Sequence, residues 1–167
     1  MTGVQTCALP ISFASDIDDP ELIRRELLRL SERTARGLRS SGCVARTVVV
    51  KLRLANFTTM TRSRTLAEPT DVARAIHEIA CALYEAAGLD RARLRLVGVR
   101  ATGLVPASAA TTQLALGERP ASWRDAERAV DKIARKFGTD AVQPAALVPG
   151  EHDRLRGQVP PGGSGGG

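Results

Sequence analysis

Residues 45–66 read ARTVVVKLRLANFTTMTRSRTL, and their alternation decides what the chain is built from. Val50, Leu52 and Leu54 take turns with Lys51, Arg53 and Ala55, the period-two pattern of a strand with one buried and one wet face. TTMTRSRTL comes next, threonine-rich and again alternating, so Ala55 to Thr58 is expected to turn an antiparallel hairpin. The wet faces of both strands are basic.

On either side the period lengthens to that of a helix. Upstream, Asp18 and Asp19 before Pro20 form a helix start, because proline lacks only an N–H that the first turn leaves unused. Ile23, Leu27, Leu30, Thr34 and Leu38 recur at helical spacing until Gly42 ends the run. Downstream, Pro69 and Thr70 precede a second helix with Val72, Ile76, Ile79 and Leu83 as its buried stripe and Gly88 as its stop. RARLRLVGVRATGLVP then reads as a strand, with Leu94 and Leu96 inward and Arg93 and Arg95 outward. With FASDI ending a first strand, the order is βαββαβ. That order predicts an α+β fold: a four-stranded antiparallel sheet with two helices on one face.

The remainder reads as appendages. Residues 13–106 form the expected domain, and ASAATTQLALGERPA (107–121) is a linker by composition. A capping pattern at Ser122 to Asp125 opens a third helix with Ala126, Val130, Ile133 and Phe137 on one stripe, and VQPAALV is expected to add an extended piece before 148. Residues 149–167 are rich in Gly and Pro and are expected to be disordered.

Composition narrows the function classes. At 167 residues with 43% apolar and 3% aromatic, the chain has one aliphatic core. Three cysteines without CxxC spacing argue against a disulfide framework or a zinc site, and fit a reducing, cytoplasmic setting. There is no apolar run of membrane-spanning length and no basic leader, so no membrane partner is expected.

No catalytic constellation emerges. His77 has no partner at triad or metal spacing, Cys43 and Cys81 read as small apolar fillers, and no glycine-rich phosphate loop precedes a helix. No pair of strand carboxylates could hold two Mg²⁺ ions. The chain alone is expected to bind rather than catalyse, with no cofactor.

Charge indicates what it binds. From Arg24 to Arg100 there are 16 Lys or Arg against 7 Asp or Glu. An Arg-rich solvated surface would also be basic, but it would mix signs. Arg46, Lys51, Arg53, Arg62 and Arg64, with Arg91, Arg93, Arg95 and Arg100, span the uncovered strands without one acid among them. A localised surplus points to a polyanion. With only Phe57 near the strands for stacking, contact is expected with phosphates rather than bases.

FASDIDDPELIRRELLRLSERTARGLRSSG, ARTVVVKLRLANFTTMTRSRTL and RLRLVGVRATGLVP together resemble the little-finger domain of the Y-family translesion polymerases, within that family the bacterial DNA polymerase IV group. The paired motifs FTTMTRSRTL and LVGVR carry most of the likeness, which covers Phe13 to Pro106 and continues loosely to Val148. The resemblance implies a domain lying in the major groove of template-primer duplex DNA. Arg62, Ser63, Arg64 and Thr65 of the third strand and Arg95 and Arg100 of the fourth would hold phosphates, beside the basic wet-face residues Lys51 and Arg53. Arg95 and Arg100 have opposite parity, so a bulge is expected, with Gly98 the natural place. Arg62 and Arg64 are expected to point at the groove, with Ser63 and Thr65 acting through backbone N–H groups or at an edge.

The resemblance also gives the linker a meaning. QLALG is similar to the sliding-clamp-binding peptide of these polymerases, with Gln113, Leu114 and Leu116 matching and Gly117 standing where an aromatic is commoner. The missing aromatic weakens the anchor; an ordinary linker with an amphipathic patch is the alternative, and the position after a little finger favours the clamp reading. The palm, with its carboxylates and Mg²⁺, would lie upstream, so the parent is expected to be a DNA-directed DNA polymerase and this chain a monomeric fragment of it. A fragment of a non-catalytic adaptor relative, or a free-standing nucleic-acid module, are the alternatives.

MTGVQTCALPIS, residues 1–12, is uncharged and unlike the charged, helix-forming stretch after it. Its first eleven residues resemble the translation of a common sequencing-library adapter. This segment is therefore expected to be non-native and to have cut the reading frame within the first strand, where Leu9 and Ile11 still alternate.

Overall fold

The computed structural model describes residues 7–89, 92–110, 122–138 and 141–148. In chain order the elements are β1 (Cys7–Ile17), α1 (Pro20–Ser40), β2 (Cys43–Leu54), β3 (Thr59–Thr70), α2 (Ala73–Glu85), β4 (Leu94–Pro106), α3 (Ser122–Phe137) and a 3₁₀ turn (Ala145–Leu147). The four strands form one antiparallel sheet in the order β1-β4-β2-β3. Both α1 and α2 lie on one face of it, as the βαββαβ order requires.

Local chemistry sets the boundaries. Asp19 caps α1 by accepting the Glu21 backbone N–H at 2.9 Å, Pro20 fills the first helical position, and Gly42 ends the run at φ 65°. The second helix begins later than its sequence suggests. β3 runs on through Thr70, whose hydroxyl accepts the Val72 N–H, and α2 starts at Ala73 with no side-chain cap of its own. Its buried stripe shifts accordingly to Ala73, Ile76, Ala80 and Tyr84, leaving Ile79 and Leu83 half-buried.

The core lies between sheet and helices. Ile23, Leu27, Leu30 and Leu38 of α1 pack with Ile76 of α2 over Val48, Val50, Leu52, Leu94, Val97 and Val99, all essentially sealed from water. Leu, Ile and Val carry this core, and burying each such side chain is worth about 1.5–3 kcal/mol. At the far edge, Leu9 pairs with Val99 and Ile11 with Val97, so Cys7 to Ser12 run in register with β4.

The third helix departs from its sequence pattern. Its apolar periodicity predicts a buried stripe, yet Ile133 and Phe137 are exposed. It presents acids to the domain instead. Arg39, whose side chain is 7% exposed, donates Nη2 to Asp131 at 3.0 Å and Nη1 to the Asp71 carbonyl at 2.8 Å, and pairs with Glu127 as well. Glu127 also accepts the Ala73 N–H at 3.0 Å, supplying the cap that α2 lacks. Arg124 reaches Asp71 at 2.8 Å. A guanidinium this enclosed persists only because partners surround it. The stretch expected to be extended after α3 is a 3₁₀ turn that buries Leu147.

Candidate nucleic-acid interface

The face of the sheet away from the helices is set by register, because residues directly opposite each other in an antiparallel pair leave the sheet on the same side. Val48, Val50 and Leu52 are buried beneath the helices, so Thr47, Val49, Lys51 and Arg53 take the open side of β2. Their partners form rows across the sheet: Thr65–Thr47–Thr102, Ser63–Val49–Arg100, Thr61–Lys51–Gly98 and Thr59–Arg53–Leu96. The Thr47 and Thr65 hydroxyls meet at 3.2 Å, which places their side chains together.

This register changes which residues of β3 face outward. Arg62 stands opposite Val50 and Arg64 opposite Val48, on the helix side, where Leu66 at the same parity packs against the core. The hydroxyls of Thr61, Ser63 and Thr65 occupy the open face. The expectation that the two arginines would point at a groove is therefore corrected. Both remain exposed only because β3 is the edge strand and the helices stop short of covering it. Charged side chains at an edge also discourage pairing with another chain.

The fourth strand carries the expected bulge at a different place. Arg53 pairs with Leu96 and Leu54 with Leu94, so one step along β2 matches two along β4 and Arg95 is the extra residue. Gly98 is regular, buried, and paired with both Lys51 and Pro10. Having no side chain, it leaves room beside Lys51. The bulge brings Arg95 next to Arg53: their guanidinium carbons stand 5.0 and 5.3 Å from the centroid of one ring, Phe57. Arg100 is exposed on the same side, one row from Lys51.

Phe57 closes the hairpin. The Leu54 N–H donates to the Thr58 carbonyl at 2.9 Å, the Phe57 N–H to the Leu54 carbonyl at 3.0 Å, and the Thr58 N–H to Asn56 Oδ1 at 3.0 Å. This three-residue turn needs a left-handed residue at its third position, and Phe57 takes it at φ 65°. It is the only non-glycine with positive φ among the described residues. For an L-residue that conformation costs about 1–2 kcal/mol.

From Thr47 to Arg53 and their partners on β3 and β4, the open positions thus collect Lys51, Arg53, Arg95 and Arg100 with a band of hydroxyls and no carboxylate; Asp16, exposed beside Ile17 on β1, lies outside this block. Of the other five of the nine cations read from the sequence, Arg62 and Arg64 fall on the other side, Arg46 is exposed at the opposite parity to Thr47, Arg93 is exposed just before β4, and Arg91 lies outside the described residues. Gln113, Leu114 and Leu116 also lie outside them.

Other chemistry is sparse. His77 Nε2 and Cys81 Sγ meet at 3.2 Å on α2, a pairing the i, i+4 spacing could have announced. Burial, with Glu85 nearby, pushes the Cys81 thiol up, the opposite of an activated nucleophile. Among the described residues no group of three His, Cys, Asp or Glu could hold a metal ion. No described helix is long and apolar enough to cross a membrane. A groove of about 830 Å³ between α1 and α3 is lined by Arg33, Arg36, Arg39, Asp71, Arg128 and Asp131 among others, and it is the seam along which those helices are joined.

Comparison with known proteins agrees with this architecture. The model of the impB/mucB/samB family C-terminal domain matches residues 10–116. The DNA polymerase IV of Desulfatibacillum aliphaticivorans is 35% identical over 140 residues, covering 83% of this chain and 35% of that protein. That of Caulobacter vibrioides is 33% identical over 138 residues, covering 83% and 34%. The chain spans about a third of the length of these curated relatives. Among solved structures, a Y-family DNA polymerase chimera superposes with a TM-score of 0.54 at 9% identity, over 62% of this chain and 30% of that one. An insertion ternary complex of Dbh DNA polymerase gives 0.53 at 10%, over 60% and 29%. At such identities the likeness is one of fold.

Proposed function

This chain belongs to the impB/mucB/samB C-terminal domain family, the little-finger domain of Y-family polymerases of the DNA polymerase IV kind, and from that premise we propose that its open sheet face grips the backbone of template-primer duplex DNA. The observation that carries the reading is the acid-free block of open positions on β2, β3 and β4, with Lys51, Arg53, Arg95 and Arg100 beside a hydroxyl band from Thr61, Ser63 and Thr65. Cations and hydroxyls without a free stacking platform suit phosphates, which position a duplex without reading its bases. Arg62 and Arg64 contribute from the rim of the edge strand.

The intact parent would be a DNA-directed DNA polymerase performing translesion synthesis. Its relatives' names favour that over a non-catalytic adaptor. Mg²⁺ and its carboxylates would belong to a palm outside this chain, and the upstream coding sequence tests this: an intact carboxylate set supports a polymerase, a degraded one an adaptor. The monomeric state and a cytoplasmic location belong to the same proposal.

The test of the face is binding of a labelled primer-template across a salt series. Affinity should fall with a log-log slope of about 0.9 per phosphate neutralised and show little sequence preference. Salt-insensitive binding, or binding confined to one sequence, sinks the backbone mode. A sliding clamp is a second proposed partner, on the strength of Gln113, Leu114 and Leu116 coming after a little finger. Retention on an immobilised clamp should be lost in Gln113→Ala, Leu116→Ala; absence of retention in the unaltered chain ends that reading.

A further inference from the structure

We propose that Phe57 is a positioning residue for this face: its ring holds the guanidinium groups of Arg53 and Arg95 as a preset pair for adjacent phosphates. The inference rests on the backbone-binding reading and adds to it the element that organises two of the four cations.

Three observations converge. Phe57 accepts a left-handed backbone at φ 65°, where glycine or asparagine would sit without strain. Phe57 is 58% exposed, so core burial does not account for the choice of a large apolar side chain there. Both arginines stand over that ring, at 5.3 and 5.0 Å, although they come from different strands. Strain held at an exposed residue that organises neighbouring groups is the usual mark of a functional rather than a folding role.

Arginine explains why the arrangement matters. A free guanidinium on a long stem loses rotamer freedom when it grips a phosphate. Neither Arg53 nor Arg95 has an ion-pair partner among the described residues, so no carboxylate of those residues fixes them. An aromatic ring orients a cation without neutralising it. The pair thus keeps its full charge for the ligand while part of the ordering is already done. A carboxylate in the same place would order the arginines and cancel them.

The experiment uses the full chain with Phe57→Gly and Phe57→Tyr. Phe57→Gly relieves the left-handed strain, so its thermal transition should equal or exceed that of the unaltered chain. Its affinity for a primer-template should nonetheless drop roughly tenfold, about the effect of one lost charged contact, while Phe57→Tyr retains both properties. Arg53→Ala should weaken binding less in the Phe57→Gly background than alone, which shows coupling. Without DNA, the side-chain N–H resonances of Arg53 and Arg95 should carry ring-current shifts that Phe57→Gly abolishes. Unchanged affinity and salt slope in Phe57→Gly overturn the proposal, as do arginine resonances without such shifts. If those shifts are present but the unaltered chain fails to bind any duplex, the backbone-binding reading fails first and this role falls with it.

Discussion

Arg64 stands directly opposite Val48 across β2 and β3, so its side chain leaves the sheet on the side the helices cover. Arg100, opposite Val49, leaves on the other. The two arginines should therefore differ in DNA binding although both are exposed. Arg100→Ala and Lys51→Ala should each weaken primer-template binding uniformly across sequences and reduce the salt slope by about 0.9. Arg64→Ala should have a distinctly smaller effect on both. Fluorescence anisotropy over a salt series measures this, and an Arg64 effect equal to that of Arg100 would show that the rim grips as firmly as the face.

Glu127 completes α2 from another helix, so its loss should be felt far from α3. Glu127→Ala removes the acceptor for the Ala73 N–H and one partner of the enclosed Arg39, leaving Asp131 in place. The expected destabilisation is about 2 kcal/mol, between a lost cap and a fully orphaned buried charge. Urea unfolding measures it. Hydrogen exchange should show the first turn of α2 opening sooner.

Stability should also carry a pH signature from Glu32. Burial first, then nearby Glu127, push its carboxyl up, while Arg39 and Arg36 pull it down and Asp131 adds to the rise. With the net shift upward, the folded state holds this proton more tightly than the unfolded chain. The contribution is fully present below the ordinary glutamate range and is lost as pH rises through the elevated folded value. Glu32→Gln should erase that downward step and be more stable than the unaltered chain at pH 7, as urea midpoints at a series of pH values would record.

Thr34 sits on the buried stripe of α1, wholly sealed, and its hydroxyl has no hydrogen-bond partner. Thr34→Val keeps the shape and removes the unpaired polar atom. Stability should rise by about 1 kcal/mol, read as a higher denaturation midpoint at constant m-value. A loss instead would mean that the hydroxyl finds a partner in solution.

Much of this architecture was legible in the sequence, because alternation and 3.6-residue periodicity report burial directly. Lys51, Arg53 and Arg100 could be placed on a wet face from their own strands. Arg62 and Arg64 could not. Both faces of an edge strand touch water, so the alternation of TRSRT carries no sign to say which side is covered. The bulge was foreseeable from the opposed parities of Arg95 and Arg100, but its place depends on pairing with Leu54, which lies forty residues earlier in the chain. The docking of α3 defied its pattern because ion pairs hold the helix in place. The Arg39 guanidinium selects acids, and hydrophobic periodicity is blind to a charged partner on another helix.

That seam between α1 and α3 gives the last helix a second, non-covalent attachment to the domain. Arg39 holds Glu127 and Asp131, Arg124 holds Asp71, and Ala73 holds Glu127. A chain nicked by a protease within residues 111–121 should still travel as one particle through a sizing column. The two pieces should part only when acid protonates the carboxylates or concentrated salt competes for the guanidinium groups.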